Sequence, residues 1–547
     1  MFKKASLIAL AVFSIGINAQ KAKINQPNRP KLVVGLVVDQ MRWDYLYRYY
    51  SKYGNDGFKR LLNKGFSLNN VHINYVPTVT ALGHTSIYTG SVPAIHGIAG
   101  NDWYDKGTGK NVYCTTDETV KPVGTQNVKV GSHSPKNLWS TTITDELRLA
   151  TNFQGKVVGV SLKDRASILP AGHNPTGAYW FDDSSGNFVT SSYYMNDLPQ
   201  WMKNFNAQNL PEKLVANGWN TLLPLNQYTE SSPDNSPWEG LLGSAKTPTF
   251  PYNNLAADYQ AKKDNIRYTP FGNTLTLKVA EASIEGEGLG KDHITDFLAI
   301  NIASTDYAGH KFGPNSIEVQ DIYLRLDQDL AEFFKYLDKN IGKNEYTVFL
   351  SADHGGAHAV GFMQEHKMAT GFFGEGAEKS LNEKYKLKYG VENLLTSIDN
   401  YQIYLDQSLV EKNKLDMTNV VDYLVDELNK DQSVLFAVNL KKLGQAPIPE
   451  PIKTRIINGY NWQRSGDIQL ISHDSMLPPY AKKGTTHSVW NSYDSRVPLI
   501  FMGWGIKNGE SNKEYNMTDI SPTIASLLRI QFPSGNIGNP IVEVIGK

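Results

Sequence analysis

The chain of 547 residues carries 54 basic and 54 acidic side chains, so its charge gives no reason to expect a nucleic-acid partner. Its single cysteine, Cys114, excludes an internal disulfide, a cysteine-based zinc cluster and a lipidated cysteine behind an export signal. A metal, where one is bound, must sit on His, Asp or Glu, and stability must come from a large core.

The opening segment MFKKASLIALAVFSIGINAQ has Lys3 and Lys4, an apolar run from about Ala5 to Ile17, and Ala19 as a small residue for a signal peptidase. It predicts a signal peptide over 1–19 and a periplasmic or secreted product. The run falls short of the roughly 20 residues that a bilayer crossing needs. No later stretch replaces it, so no membrane association is expected.

Five near-continuous runs rich in Val, Ile and Leu follow: KLVVGLVVD (31–39), GKVVGVSLK (155–163), DFLAINIAS (296–304), EYTVFLSAD (345–353) and RVPLIFMGW (496–504). They read as parallel strands covered on both faces. Amphipathic stretches such as 316–341 and 519–530 alternate with them. The order predicts a three-layer α/β/α sandwich with a mostly parallel central sheet. Two regions break the rhythm, about 166–285 (rich in Asn, Tyr, Pro, Trp and Gly) and about 365–485 (mixed and more charged). Strand patterns resume after each, so both are expected as insertions built over the sheet of one domain spanning 20–547.

Ligands of open α/β sheets gather where the strands end. Asp39 closes the first run, Lys163 the second and Asp353 with His354 the fourth, while Asp306 follows the third within two residues. His310 stands four residues after Asp306, one helical turn away, and KKGTTHSVWN offers His487 ahead of the last run. Taken singly, each has a plainer explanation. An Asp at a strand end caps helices or forms turns, and a loop His is seldom a ligand. Their coincidence at one edge makes an oxygen and nitrogen set that suits catalytic zinc. His84 and His96 are expected to support nearby loops, with His358 and His366 as candidates for a role behind the ligands.

NYVPTVTALGHTSIYTG (74–90) joins a loop to a helix. Pro77 disfavours helix just before it and ALGHTSIY reads as helix, which puts Thr80 at the N-terminal boundary. Two roles fit that position: an N-cap, or a hydroxyl nucleophile held where the helix favours an anion.

In chain order, PTVTALGHTSIYTG, SVPAIHGIAGNDWYD, STDYAGH, SADHG and TTHS resemble the alkaline phosphatase superfamily. The resemblance is to the branch shared by nucleotide pyrophosphatase/phosphodiesterases and threonine-type alkaline phosphatases, and it runs from Asp39 to His487. It implies two zinc ions per chain. Asp306, His310 and His487 would hold one; Asp39, Asp353 and His354 would hold the other, with Thr80 as the nucleophile bound to that second ion.

Lys163 and Arg165 in VSLKDRAS stand two apart, so an extended backbone would put both on one side. Alone they would also fit a solvated surface patch. The resemblance assigns them, with Asn101 of GNDWYD, to the phosphoryl oxygens. Two fixed cations suit a dianionic monoester and occupy the room a diester's second group needs. The implied function is a zinc-dependent alkaline phosphatase of broad range. It would hydrolyse small phosphate monoesters to an alcohol and phosphate through a phosphothreonine, as a monomer. A phosphodiesterase or nucleotide pyrophosphatase is the alternative.

Two departures matter. The C/S-x-P-x-R signature of sulfatases is replaced by Thr80 in TVTALG, and no ligand set matches the magnesium site of serine-type alkaline phosphatases. Lys163 is expected to take over part of that ion's electrostatic role. A non-catalytic protein retaining the fold is the third reading, opposed by the fact that every expected position is filled.

Overall fold

The computed structural model describes residues 28–546 apart from 375, so the predicted signal peptide lies outside the described residues. Eight strands dominate its main sheet: β1 (Leu32–Val38), β2 (Phe66–His72), β3 (Val157–Ser161), β4 (Gly177–Asp182), β5 (Asn187–Ser191), β6 (Asp296–Ile302), β7 (Tyr346–Ser351) and β8 (Arg496–Gly503). Their order is β2-β8-β7-β1-β6-β3-β4-β5, with short strands added at both edges. β7, β1, β6, β3 and β4 are mutually parallel. In the centre Val34 pairs with Val348 on one side and Leu298 on the other. Every residue of β1 is buried, as a run covered on both faces requires.

Two helix layers cover the sheet. One contains α1 (Thr80–Thr89), α2 (Asp164–Ala171) and α6 (Ile520–Leu528); the other contains α3 (Pro270–Glu287), α4 (Ser304–Phe312) and α5 (Ile317–Leu337). α5 starts cleanly because the Ser316 side chain accepts from the Val319 N–H. Gly35 in β1 lets Tyr88 of α1 and Phe349 of β7 close over the strand, since a Cβ there would meet both side chains.

One strand differs from expectation. β8 runs antiparallel to both β7 and β2, although its sequence reads as a parallel strand. A strand buried on both faces has the same composition in either direction, so the apolar run does not encode its polarity. The reversal makes β8 begin at the edge where its neighbours end.

The regions that break the sequence rhythm have different fates. Residues 177–191 supply β4 and β5, so the start of the first region belongs to the sheet itself. Within 365–485 a four-stranded antiparallel sheet forms from Leu395–Asp399, Gln402–Leu405, Ile468–Ser472 and Val434–Asn439. This cap has its own apolar core, including Tyr385, Leu394, Ile403 and Leu424. Arg464 fastens it: the guanidinium lies over the Trp103 and Trp139 rings at 4.8 and 4.3 Å and donates to the Gly97 and Asn137 carbonyls.

Candidate active site

The parallel strands deliver their carboxyl-terminal residues to one edge. Asp39 follows β1, Lys163 follows β3, Asp306 and His310 stand on α4 behind β6, and Asp353 with His354 follows β7. His487 arrives on the loop ahead of β8, which only the reversed strand direction allows. These residues form two groups, Asp306 with His310 and His487, and Asp39 with Asp353 and His354. Within each group the ligand atoms lie within 4.8 Å of one another.

All three imidazoles are held the same way. Nδ1 of His310 bonds to the Thr485 carbonyl at 2.9 Å, Nδ1 of His354 to Gly355 at 2.9 Å, and Nδ1 of His487 to Thr78 at 2.6 Å. A backbone carbonyl can only accept, so Nδ1 carries a proton in each ring and Nε2 faces inward; against burial, the Asp306 carboxylate raises His310. Accordingly His310 Nε2 stands 3.2 Å from Asp306 Oδ1, and His354 Nε2 stands 3.4 Å from Asp353 Oδ2. Burial first, then the neighbouring His354 and His310 rings, hold His487 well below the usual histidine range. Burial also lowers His354. Both are therefore neutral, the form that ligates.

The donor set fits transition-metal ions. Asp39 Oδ1, Asp353 Oδ2 and His354 Nε2 are buried without any hydrogen-bond partner. Two carboxylate oxygens beside an imidazole lone pair, with no protein donor to satisfy them, match the ligand chemistry of a divalent ion with mixed oxygen and nitrogen preference. Burial and then the adjacent Asp353 charge push Asp39 well above the usual carboxylate range.

Lys163 stands between the groups. Its Nζ donates to Asp39 Oδ2 at 2.8 Å, to Asp306 Oδ2 at 2.7 Å and to Thr80 Oγ1 at 3.4 Å. Burial opposes its charge, but Asp306 and Asp39 outweigh burial and raise it, so it stays an ammonium. Burial likewise opposes ionisation of Asp306, yet His310 and Lys163 hold that carboxyl well below its usual range.

Thr80 is the first residue of α1 and does not cap it. Val79 occupies the N-cap position without a side-chain bond, and the Ala81 N–H is satisfied instead by Asn101 Oδ1 at 3.0 Å. The buried Thr80 hydroxyl is thus free of that duty.

Lys163 and Arg165 do not share an extended backbone, contrary to expectation. β3 ends at Ser161, Lys163 is the N-cap residue of α2, and Arg165 lies in the first turn. Arg165 Nη1 donates to the Tyr113 hydroxyl at 3.1 Å, while its Nε is buried without a partner. His84 Nδ1 bonds to the Thr80 carbonyl at 2.9 Å and His96 Nε2 meets Ser86 Oγ at 3.2 Å, both supporting α1. His358 and His366 bond to Asn315 and to the Phe362 carbonyl and join neither ligand group.

Three residues escaped the sequence reading. Gln40 Nε2 donates to Asp306 Oδ1 at 2.7 Å, and Gln40 N donates to Asp353 Oδ1 at 3.2 Å. Tyr307 lies under Lys163, with Nζ 5.0 Å from the ring centroid. Tyr113 links Arg165 to Asp164 Oδ1, to which its hydroxyl donates at 2.7 Å. Adjacency to Asp39 and Asp306 was the only available signal for Gln40 and Tyr307.

A family model described as "Type I phosphodiesterase / nucleotide pyrophosphatase" matches residues 33–494. The chain belongs to this family. Among family relatives, "Alkaline phosphatase PafA" of Elizabethkingia meningoseptica is 67% identical over 544 residues, covering 100% of this chain and 99% of that protein. The crystal structure of wild-type PafA matches with a TM-score of 0.94 at 69% identity, covering 95% of this chain and 99% of that one. A relative from Myroides odoratus, 50% identical over 549 residues and covering 100% and 99%, is named "Calcium-transporting ATPase". Among the described residues no helix is long and apolar enough to cross a membrane.

Proposed function

We propose that the chain is an alkaline phosphatase that hydrolyses phosphate monoesters to an alcohol and inorganic phosphate through a phosphothreonine at Thr80, with two zinc ions as cofactors. The relationship to PafA supports this reading. One observation carries it: the Lys163 ammonium is fixed within hydrogen-bond reach of both ligand groups and of Thr80 Oγ1. A buried cation at the nucleophile suits a dianionic phosphoryl group better than a monoanionic diester.

Asp39, Asp353 and His354 would hold the ion next to Thr80, and Asp306, His310 and His487 the second. Bound there, the pair supplies Lewis acidity that acidifies a hydroxyl or water and stabilises the departing oxygen. The chain's own groups do the rest. Thr80 Oγ1, its proton released to solvent, attacks phosphorus; the Oγ1–P bond forms as the bond to the alcohol oxygen breaks on the opposite side, and that oxygen takes a proton from water. Lys163, Arg165 and the Asn101 amide hold the three equatorial oxygens, whose charge persists through transfer. Water then attacks phosphorus from the side the alcohol left, releasing phosphate and the threonine. The helix dipole of α1 favours the anionic Thr80 oxygen and the phosphate alike.

We read the cap as an insertion of a single catalytic domain, since its strands lie in sequence between β7 and β8. The lysine-led apolar leader supports export. The deciding experiment compares an aryl phosphate with its methyl diester, alongside metal analysis of the purified protein. Preference for the diester, or full activity in material without transition metal, overturns the proposal.

A further inference from the structure

Asn101 and Tyr113 are neighbours at the open end of one hairpin. Its strands, Asp102–Asp105 and Lys110–Tyr113, pair antiparallel with Asp102 opposite Tyr113, and the Cys114 N–H donates to the Asn101 carbonyl at 2.9 Å. The chain therefore enters the hairpin at Asn101, beside the point where it leaves at Tyr113. The Asn101 side chain turns to α1 and accepts from the Ala81 N–H, whereas the Tyr113 side chain turns to α2 and meets Arg165.

Arg165 is held unlike Lys163. Lys163 contacts two carboxylates directly, Asp39 and Asp306. Among the described residues Arg165 has no carboxylate within ion-pair distance, and its one hydrogen bond runs from Nη1 to the Tyr113 hydroxyl at 3.1 Å. Its Nε is buried without a partner.

The phenol can face Arg165 in only one way. Its proton goes to Asp164 Oδ1 at 2.7 Å, because a carboxylate only accepts, and a lone pair is left for Nη1. Asp164 is itself pinned: Thr115 Oγ1 donates to Oδ2 at 2.9 Å, and His133 Nε2 stands 3.5 Å from the same oxygen. Burial opposes ionisation of Asp164, but His133 and then Arg165 hold it below its usual range. Burial and then the Asp164 charge push Tyr113 well above the usual phenol range, so the shared proton stays on the phenol. Asp164 thus orients the guanidinium at one remove.

We propose that Tyr113 is a positioning residue whose phenol aims Arg165 at the phosphoryl oxygens while sparing it a direct ion pair. A carboxylate in that place would compete with the ester for the cation; a neutral acceptor fixes direction and leaves the charge available. The proposal rests on the phosphatase reading and deepens it, because the preference for a dianion then depends on a residue acting through Arg165.

The test uses the metal-loaded full-length enzyme with an aryl phosphate and its methyl diester, together with calorimetry of inorganic phosphate binding. Tyr113→Phe keeps the ring and removes the relay. It should lower monoester kcat/KM and phosphate affinity about tenfold each, while diester kcat/KM changes less than about twofold. In an Arg165→Ala background the same substitution should change monoester kcat/KM less than about twofold, because no guanidinium remains to aim. Asp164→Asn, which no longer dictates where the phenol proton goes, should give a smaller loss with the same selectivity, and it carries the test where Tyr113→Phe does not fold. Equal losses on monoester and diester, an undiminished effect beside Arg165→Ala, or an unchanged monoester rate overturns the role of Tyr113 alone. A wild type that prefers the diester overturns the phosphatase reading, and the proposal with it.

Discussion

Gln40 reaches Asp306 from a left-handed backbone: its φ is +58°, and its Nε2 donates to Asp306 Oδ1 at 2.7 Å. With its N–H on Asp353 Oδ1, one residue orients a carboxylate from each ligand group. A left-handed conformation is uncommon for glutamine and costs roughly 1–3 kcal/mol, so the surroundings must enforce it. Gln40→Leu and Gln40→Gly, the second of which relieves the backbone while deleting the amide, should lose bound metal to a chelator about 10–100-fold more readily. Gly309→Ala should reproduce the defect, because its Cβ would meet the Gln40 amide. Metal retention like wild type in all three variants would reduce Gln40 to a turn residue.

Removing the Lys163 ammonium and the Arg165 guanidinium together should cut monoester turnover by about 100-fold or more while diester turnover falls far less. Lys163 is buried against two carboxylates, so its loss also leaves Asp39 and Asp306 without their shared donor. The measurement is therefore the mono- to diester ratio rather than activity alone. Equal losses on both substrates would show that the cations do not choose between them.

Thr80→Ala should abolish the phosphorylated peptide seen by mass spectrometry after acid quench and leave the melting temperature nearly unchanged. The stability half follows from geometry: the cap bond of α1 comes from Asn101, so no cap worth about 0.5–2 kcal/mol is lost with the hydroxyl. A large drop in melting temperature would mean that Thr80 is structural after all.

Away from the ligand groups, Glu239 is buried with both carboxyl oxygens unpartnered, and Glu318 is buried with one unpartnered oxygen. Burial, then the charge of Glu318, pushes Glu239 up to about 10; burial pushes Glu318 up to about 8. Both folded values exceed the ordinary 4.5, so the folded protein keeps protons that the unfolded chain releases. Their stability is full below about pH 4.5 and is lost as pH rises through the folded values. Glu239→Gln removes one such group. Thermal melts should show the variant ahead of wild type by about 2 °C or more at pH 9, with the gap closing towards pH 5. A gap that ignores pH would refute the shifted pair.

The clustering of these side chains was legible because chemistry and topology coincide at strand ends: Asp39, Asp353 and His354 directly follow apolar runs whose length and composition specify buried strands. Asp306 and His310 needed only one turn of helix, which α4 supplies. The polarity of β8 was hidden, since Val, Ile and Leu bury equally well in either direction. Gln40 and Tyr113 were hidden for another reason. Their roles depend on donors and acceptors far away in the chain, which no local spacing records. The fate of 177–191 was obscured because β4 and β5 carry Tyr, Trp, Asp and Asn among their apolar residues.

The cap interrupts the chain between His354 and His487, and this gives assembly a direction. A polypeptide made from its N-terminus completes the Asp39, Asp353 and His354 set before any cap residue exists, whereas the partner set must wait until synthesis has passed the whole cap and returned to the sheet edge. In chain order, then, one group is complete before the cap and the other only after it, so the cap's fold sets how His487 is returned to the edge where Asp306 and His310 stand.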